Sequence, residues 1–157
     1  MNPTPEKTSV MAPFILMLFL YFIVGLFTVI NQQFQVPLKS ALLPHDGNMT
    51  NALVTLLNFS WFLAYPFSEG FATRWVDRLG YRKTSVYSLL IFIVGLGFYE
   101  AAVFLHIYAP SYITIMGNPI FTGFFVFLSG SFVIGMAVTI LQVVTGLYLD
   151  VNPVGKT

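Results

Sequence analysis

The chain has 157 residues, of which 57% are hydrophobic and 8% charged, with a net charge of +1. That balance leaves too few charges to cover a water-facing surface and excludes a soluble globular domain. Cysteine is absent, which excludes a structural disulfide and cysteine-based zinc or redox chemistry.

Four apolar runs are long enough to cross roughly 30 Å of hydrocarbon as helices. They predict an all-α membrane protein with one four-helix transmembrane region, residues 13–150, and spans over about 13–43, 51–73, 84–105 and 119–149. Residues 1–12 are polar and carry Pro3 and Pro5, reading as a cytoplasmic lead. The first run is too long for a signal peptide and lacks a clear small-residue cleavage site. Pro13 suits the first turn of span one, where a missing N–H costs nothing. From Pro13 to Lys39 a helix would extend about 40 Å, longer than the hydrocarbon is thick. Pro37 is expected to kink it by removing the hydrogen bond to the carbonyl of Gln33.

Pro44-His45-Asp46-Gly47-Asn48 makes a first outer loop. The second loop is the charged turn ending in Asp77-Arg78-Leu79-Gly80-Tyr81-Arg82-Lys83, and the third, residues 106–119, is neutral and marked by Pro110, Gly117 and Pro119. Residues 151–157 form a cytoplasmic end. With four spans both termini share a side. Lys7, Arg74, Arg78, Arg82, Lys83 and Lys156 lie on that side and Lys39 alone lies opposite, which makes the side of the termini cytoplasmic.

Polar residues inside the spans are the candidate functional groups, because amides and carboxylates in hydrocarbon are costly unless they face protein or water. At 100° per residue Tyr21, Gly25, Thr28, Asn31, Gln32, Gln35 and Lys39 share one face of span one, and bulky amides spread along a helix favour a solvated cavity over helix-to-helix glue. Span four carries Ser131, Gly135, Thr139, Gln142, Thr145 and Gly146 on one stripe, for which glue and cavity readings stand side by side. Span two presents Asn58, Trp61, Tyr65 and Glu69 together, with the aromatics expected to pack and Glu69 to snorkel from the inner end. Glu100, near the outer end of span three, reads first as an interfacial carboxylate.

Catalytic constellations are missing. His45 and His106 both fall in outer loops, no nucleophile stands beside a base, and neither metal ligands nor a phosphate loop are assembled. The expectation is a protein that is not an enzyme, with no catalytic residue, no metal, no cofactor and no nucleic-acid partner.

The charged turn resembles the signature loop between helices two and three of the major facilitator superfamily, approximately Gly-x-x-x-Asp-Arg-x-Gly-Arg-Arg/Lys. Thr73 stands where the first glycine belongs, and Asp77, Arg78, Gly80, Arg82 and Lys83 fill the rest. The resemblance implies that these residues latch two halves of a transporter in one state, Asp77 pairing with the flanking arginines in the low-dielectric rim of the bilayer. Within the superfamily, Gly25-Leu26-Phe27-Thr28-Val29-Ile30-Asn31 followed by Pro37-Leu38-Lys39 is similar to elements of the fucose, glucose and galactose permease branch, with one extra residue between Asn and Pro. Fucose permease has an Asp directly after the matching Asn and a Glu in span four. Here those positions are Gln32 (or Gln33, if the prolines are aligned) and Gln142. A glutamine cannot titrate. That leaves passive exchange, another coupling ion, or a proton site elsewhere, for which Glu100 is the candidate.

The resemblance implies substrate binding near the midplane through Asn31, Gln32, Gln35, Gln142 and Asn58, with spans one and four facing a common interior and span three peripheral. It also implies twelve helices, so the chain is expected to be an N-terminal piece whose partners are the sugar or other small polar solute, the lipid bilayer and C-terminal helices of the same polypeptide. The expected location is a plasma or bacterial inner membrane. The alternatives are a small four-helix scaffold, an accessory subunit or a dimeric exporter; exporters of that kind rely on an acid in helix one, which span one lacks.

Overall fold

The computed structural model describes residues 11–33, 35–43, 47–115 and 117–151. The elements are α1 (Met11–Gln33), α2 (Gln35–Leu42), α3 (Asn48–Tyr108), β1 (Tyr112–Ile115), β2 (Asn118–Phe121) and α4 (Thr122–Val151). The lead up to residue 10, the Pro44-His45-Asp46 part of the first loop and the tail after Val151 lie outside the described residues, as does Phe34, around which the kink in span one was expected. Pro37 sits within α2, and its carbonyl accepts from Ser40 Oγ at 2.9 Å.

Helices α1, α3 and α4 are long and apolar enough to cross a membrane. Their outward surfaces carry Ile15, Phe19, Phe22, Phe67, Ile93 and Phe104, each more than half exposed, a coat that suits lipid and not water. The protein is a membrane protein built almost wholly of helix.

Two of the expected spans prove to be one element. α3 has 61 residues, which straight would reach about 92 Å, and it doubles back at Gly80, the one non-helical residue within it. The charged segment expected as a loop is therefore helical on both sides of a single glycine. At φ 78°, ψ 167° Gly80 occupies a region open essentially to glycine alone. The second arm starts with Thr84 Oγ1 donating to the Gly80 carbonyl at 2.9 Å and Ser85 Oγ to the Tyr81 carbonyl at 2.9 Å.

α4 is the central helix, with thirteen of its thirty residues buried against two in α1. The first arm of α3 runs parallel to it: Leu57 packs with Phe124, and Ala72 and Val76 pack with Ile140 and Val144. The second arm runs antiparallel, pairing Tyr81 with Tyr148 and Tyr99 with Ser131. α1 also runs antiparallel, with Leu20 near Leu141 and Asn31 near Phe127. The start of α1, the Gly80 bend and the end of α4 thus lie at one end of the bundle. At the other, Leu43, Leu57, Ile120, Phe121 and Phe124 form an apolar plug.

Lipid is as apolar as leucine, so helices here associate through close backbone approach and hydrogen bonds. Ser60 Oγ donates to the Leu128 carbonyl at 3.0 Å, Ser88 Oγ to the Ala137 carbonyl at 2.7 Å, and the Tyr99 and Ser131 hydroxyls meet at 2.9 Å. Gly95, Gly130 and Gly135 let the two arms of α3 press on α4. The Ser131–Gly135 part of the span-four stripe is therefore helix glue: Ser131 holds the second arm of α3 through Tyr99, and Gly135 seats the first arm at Trp61 and Ala64. The expectation that span three is peripheral is not met; α1, which lacks such contacts, is the peripheral helix. Ser88→Ala removes one buried hydroxyl bond while the Ala137 carbonyl stays inside its own helix, so unfolding in mild detergent should shift by only about 0.5–1 kcal/mol. A loss above about 2 kcal/mol would show that Ser88 does more than bridge.

Within this almost wholly helical fold the third loop carries a short hairpin. Tyr112–Ile115 and Asn118–Phe121 form an antiparallel hairpin, register Tyr112↔Phe121 to Ile115↔Asn118, and α4 begins at Thr122 and not at 119. The β-branched run Ile113-Thr114-Ile115 favours strand, and Gly117 at φ 81° allows the two-residue turn. Pro119 is tolerated because a two-stranded sheet is all edge.

Candidate functional site

The face of α1 that meets the bundle is Leu20, Val24, Phe27 and Asn31, spaced by three and four. Above Val24 the helix stands off from its neighbours and leaves a cleft of about 480 Å³. Phe27, Ile30 and Asn31 of α1 and Leu38 of α2 form one wall. Trp61 from the first arm of α3, Phe92, Tyr99 and Glu100 from the second, and Phe127 and Ile134 from α4 form the rest. Five aromatic side chains crowd the walls: in addition to Trp61, Phe27 and Phe92 lie 4.9 Å apart at 58°, and Tyr99 stacks on Phe127 at 3.9 Å.

Few polar groups face this space. Asn31 is half-buried, Glu100 is exposed at the mouth, and the Tyr99 hydroxyl is already engaged by Ser131. Trp61 is 2% exposed, and among the described residues its Nε1–H has no partner; Asn58 Oδ1 and Ser68 Oγ on the same arm are also buried and unpaired among them.

The candidate residues separate accordingly. Asn31 and Glu100 come together on the cleft wall. Asn58 lies one helical turn from Trp61, half-buried. Gln32 is exposed, as are Tyr21 and Gly25 of the same stripe, while Thr28 Oγ1 turns back to the Val24 carbonyl at 3.0 Å. Gln142 is half-buried on α4 and does not line the cleft. The side chain of Gln35 lies outside the described part of the structure. Lys39 reaches Asn51 Oδ1 at 3.2 Å, tying α2 to the start of α3.

At the Gly80 bend Asp77, Arg78, Arg82 and Lys83 are all exposed. Among the described residues no ion pair joins Asp77 to the basic groups around it, contrary to the expected pairing. The helix continues through Asp77 and fans these side chains in different directions, and an exposed pair gains too little to gather them.

Phe27, Phe92 and Tyr99 gave no sign of a shared wall in the sequence, because aromatics in apolar spans are ordinary packing material. Trp61 was visible as part of the Asn58 stripe, but an unpaired N–H is a property of its surroundings. Compared with protein-family models, with curated proteins and with solved structures, the chain matches none.

Proposed function

We propose that the protein is a membrane transporter of the major facilitator type that moves a small polar solute, a hexose or fucose-like sugar, by alternating access. The observation that carries this reading is the cleft. A half-open, aromatic-lined space between helices, with a few polar groups converging on it, is the usual form of a small-molecule site. In this one Asn31, which belongs to the sugar-permease-like element of α1, meets Glu100 and Trp61.

The charged bend supports the same reading. Basic side chains gathered at one end of the bundle support a cytoplasmic orientation of that end in a cell membrane, where the exposed Asp77, Arg78, Arg82 and Lys83 would engage another surface. Further helices of the same polypeptide would supply that surface and the opposite wall of the solute path. Glu100 is the proton site of this reading, a carboxylate at the mouth of the cleft where glutamines occupy the other candidate positions.

The test is uptake of radiolabelled L-fucose, D-glucose and D-galactose by cells expressing the gene, with and without an imposed proton gradient. Asn31→Ala should lower saturable uptake of the accepted sugar about tenfold, the value of one lost polar contact. Glu100→Gln should remove accumulation against the gradient and spare downhill exchange. Absence of saturable flux for all three sugars would overturn the proposal.

A further inference from the structure

Trp61 and Asn58 present an incomplete hydrogen-bond pattern. Among the described residues the indole Nε1–H is a buried donor without an acceptor, and Asn58 Oδ1 is a buried acceptor without a donor. Residues three apart on a helix are neighbours, so the two orphans stand one turn apart on the same face of α3. Buried polar groups are paired in folded proteins with few exceptions, and each exception asks for the partner that completes it. A cation only donates and leaves the indole unmatched; a carboxylate only accepts and leaves the asparagine oxygen unmatched. A hydroxyl does both.

Trp61 forms part of the cleft wall, Asn58 lies one turn away from it outside that wall, and Phe27 and Phe92, which line the same cleft, supply apolar surface on which the C–H face of a ring can lie. We propose that Trp61 and Asn58 are a hydroxyl-recognition pair, in which one hydroxyl of a polyhydroxylated ring accepts from Trp61 Nε1–H and donates to Asn58 Oδ1. The inference deepens the transporter reading and rests on it for the solute. It assigns the binding determinant to the first arm of α3, and neither Gln32 nor Gln142 takes part in it. A trapped water has the same donor and acceptor capacity, and the experiment separates the two.

The full-length protein in lipid nanodiscs is titrated with L-fucose, D-glucose and D-galactose, and binding is followed by radiolabel and by fluorescence. Tryptophans other than Trp61 are replaced by Phe so that Trp61 is the reporter; among these 157 residues that is Trp75 alone, which lies against Tyr87 and not on the cleft wall. The accepted sugar should change the Trp61 emission saturably, at the concentration where radiolabel binding saturates. Trp61→Phe keeps the ring and removes the N–H, and Asn58→Leu removes the acceptor. Each should weaken binding about tenfold, and the double variant by much less than a hundredfold, because one hydroxyl serves both. Binding at full strength in Trp61→Phe and Asn58→Leu, with only thermal stability altered, would identify a structural water and overturn the inference alone. An emission of Trp61 that ignores a sugar bound by radiolabel would also overturn it. Failure of the unaltered protein to bind any of the three sugars would overturn the transporter reading, and this inference with it.

Discussion

Gly135→Ala is expected to destabilise the bundle by about 1–3 kcal/mol, and Gly135→Val to prevent its assembly. A Cβ at position 135 would stand 2.7 Å from the Trp61 carbonyl oxygen and 3.0 Å from Ala64 Cβ. The nearest obstacle is backbone, which cannot rotate away, so α3 and α4 must separate. Separation would also strain the Ser60 to Leu128 hydrogen bond, which the same first arm of α3 makes to α4. The control is Gly146→Ala on the same helix, where an added Cβ meets nothing within 4 Å. That change should be neutral or stabilising by about 0.5–1 kcal/mol, the usual gain of alanine over glycine in a helix. Thermal unfolding in nanodiscs, read by circular dichroism, measures both. Equal stability of the Gly135→Ala and Gly146→Ala proteins would show that the helices do not meet through Gly135.

Gly80→Ala should cost about 1–3 kcal/mol for a different reason, the backbone itself. At φ 78°, ψ 167° an added Cβ has open space, with nothing within 4 Å, so the penalty is conformational and not steric contact with a neighbour. Relief would come by rotating Gly80 toward helix, which would open the angle between the arms and pull Thr84 from the carbonyl it caps. Gly70→Ala, on the first arm of the same element and also without neighbours, has no positive φ and should not destabilise. Spin labels at residues 67 and 93, one on each arm, would report the angle. An unchanged inter-label distance together with unchanged stability would rule out a glycine-specific bend.

Membrane insertion and the existence of the apolar segments were legible in the composition and the hydropathy runs, because crossing hydrocarbon is a property of a segment and needs no partner. The position of the reversal was legible too, as a charged patch cannot remain in lipid. Its form was not: hydropathy marks where a chain leaves the membrane, and only the backbone angles of Gly80 show that one residue suffices and that Asp77 and Arg78 stay helical. The hairpin at residues 112–121 is legible in the sequence only as a loop marked by Gly117 and Pro119, because the pairing that makes them a turn and an edge strand is between residues, not within a window.

The inward face of α1 shows the limit most plainly. In water the polar stripe of a helix points out and the apolar stripe points in, so periodicity predicts burial. In lipid both surroundings are apolar and that rule loses its force. Of the stripe Tyr21, Gly25, Thr28, Asn31 and Gln32 visible in the sequence, Asn31 alone belongs to the face by which α1 meets the bundle, the rest of which is Leu20, Val24 and Phe27. In span four the small residues Ser131 and Gly135 decided the contact, because backbones approach wherever side chains are absent, and the choice of partner helix depended on which neighbour could come that close. The sequence by itself determined a helical membrane protein, its apolar segments and its charged reversal. Tertiary packing alone decided which polar groups share a cleft, since that is settled by the close approach of α3 to α4 and the looser seat of α1, which no single segment contains.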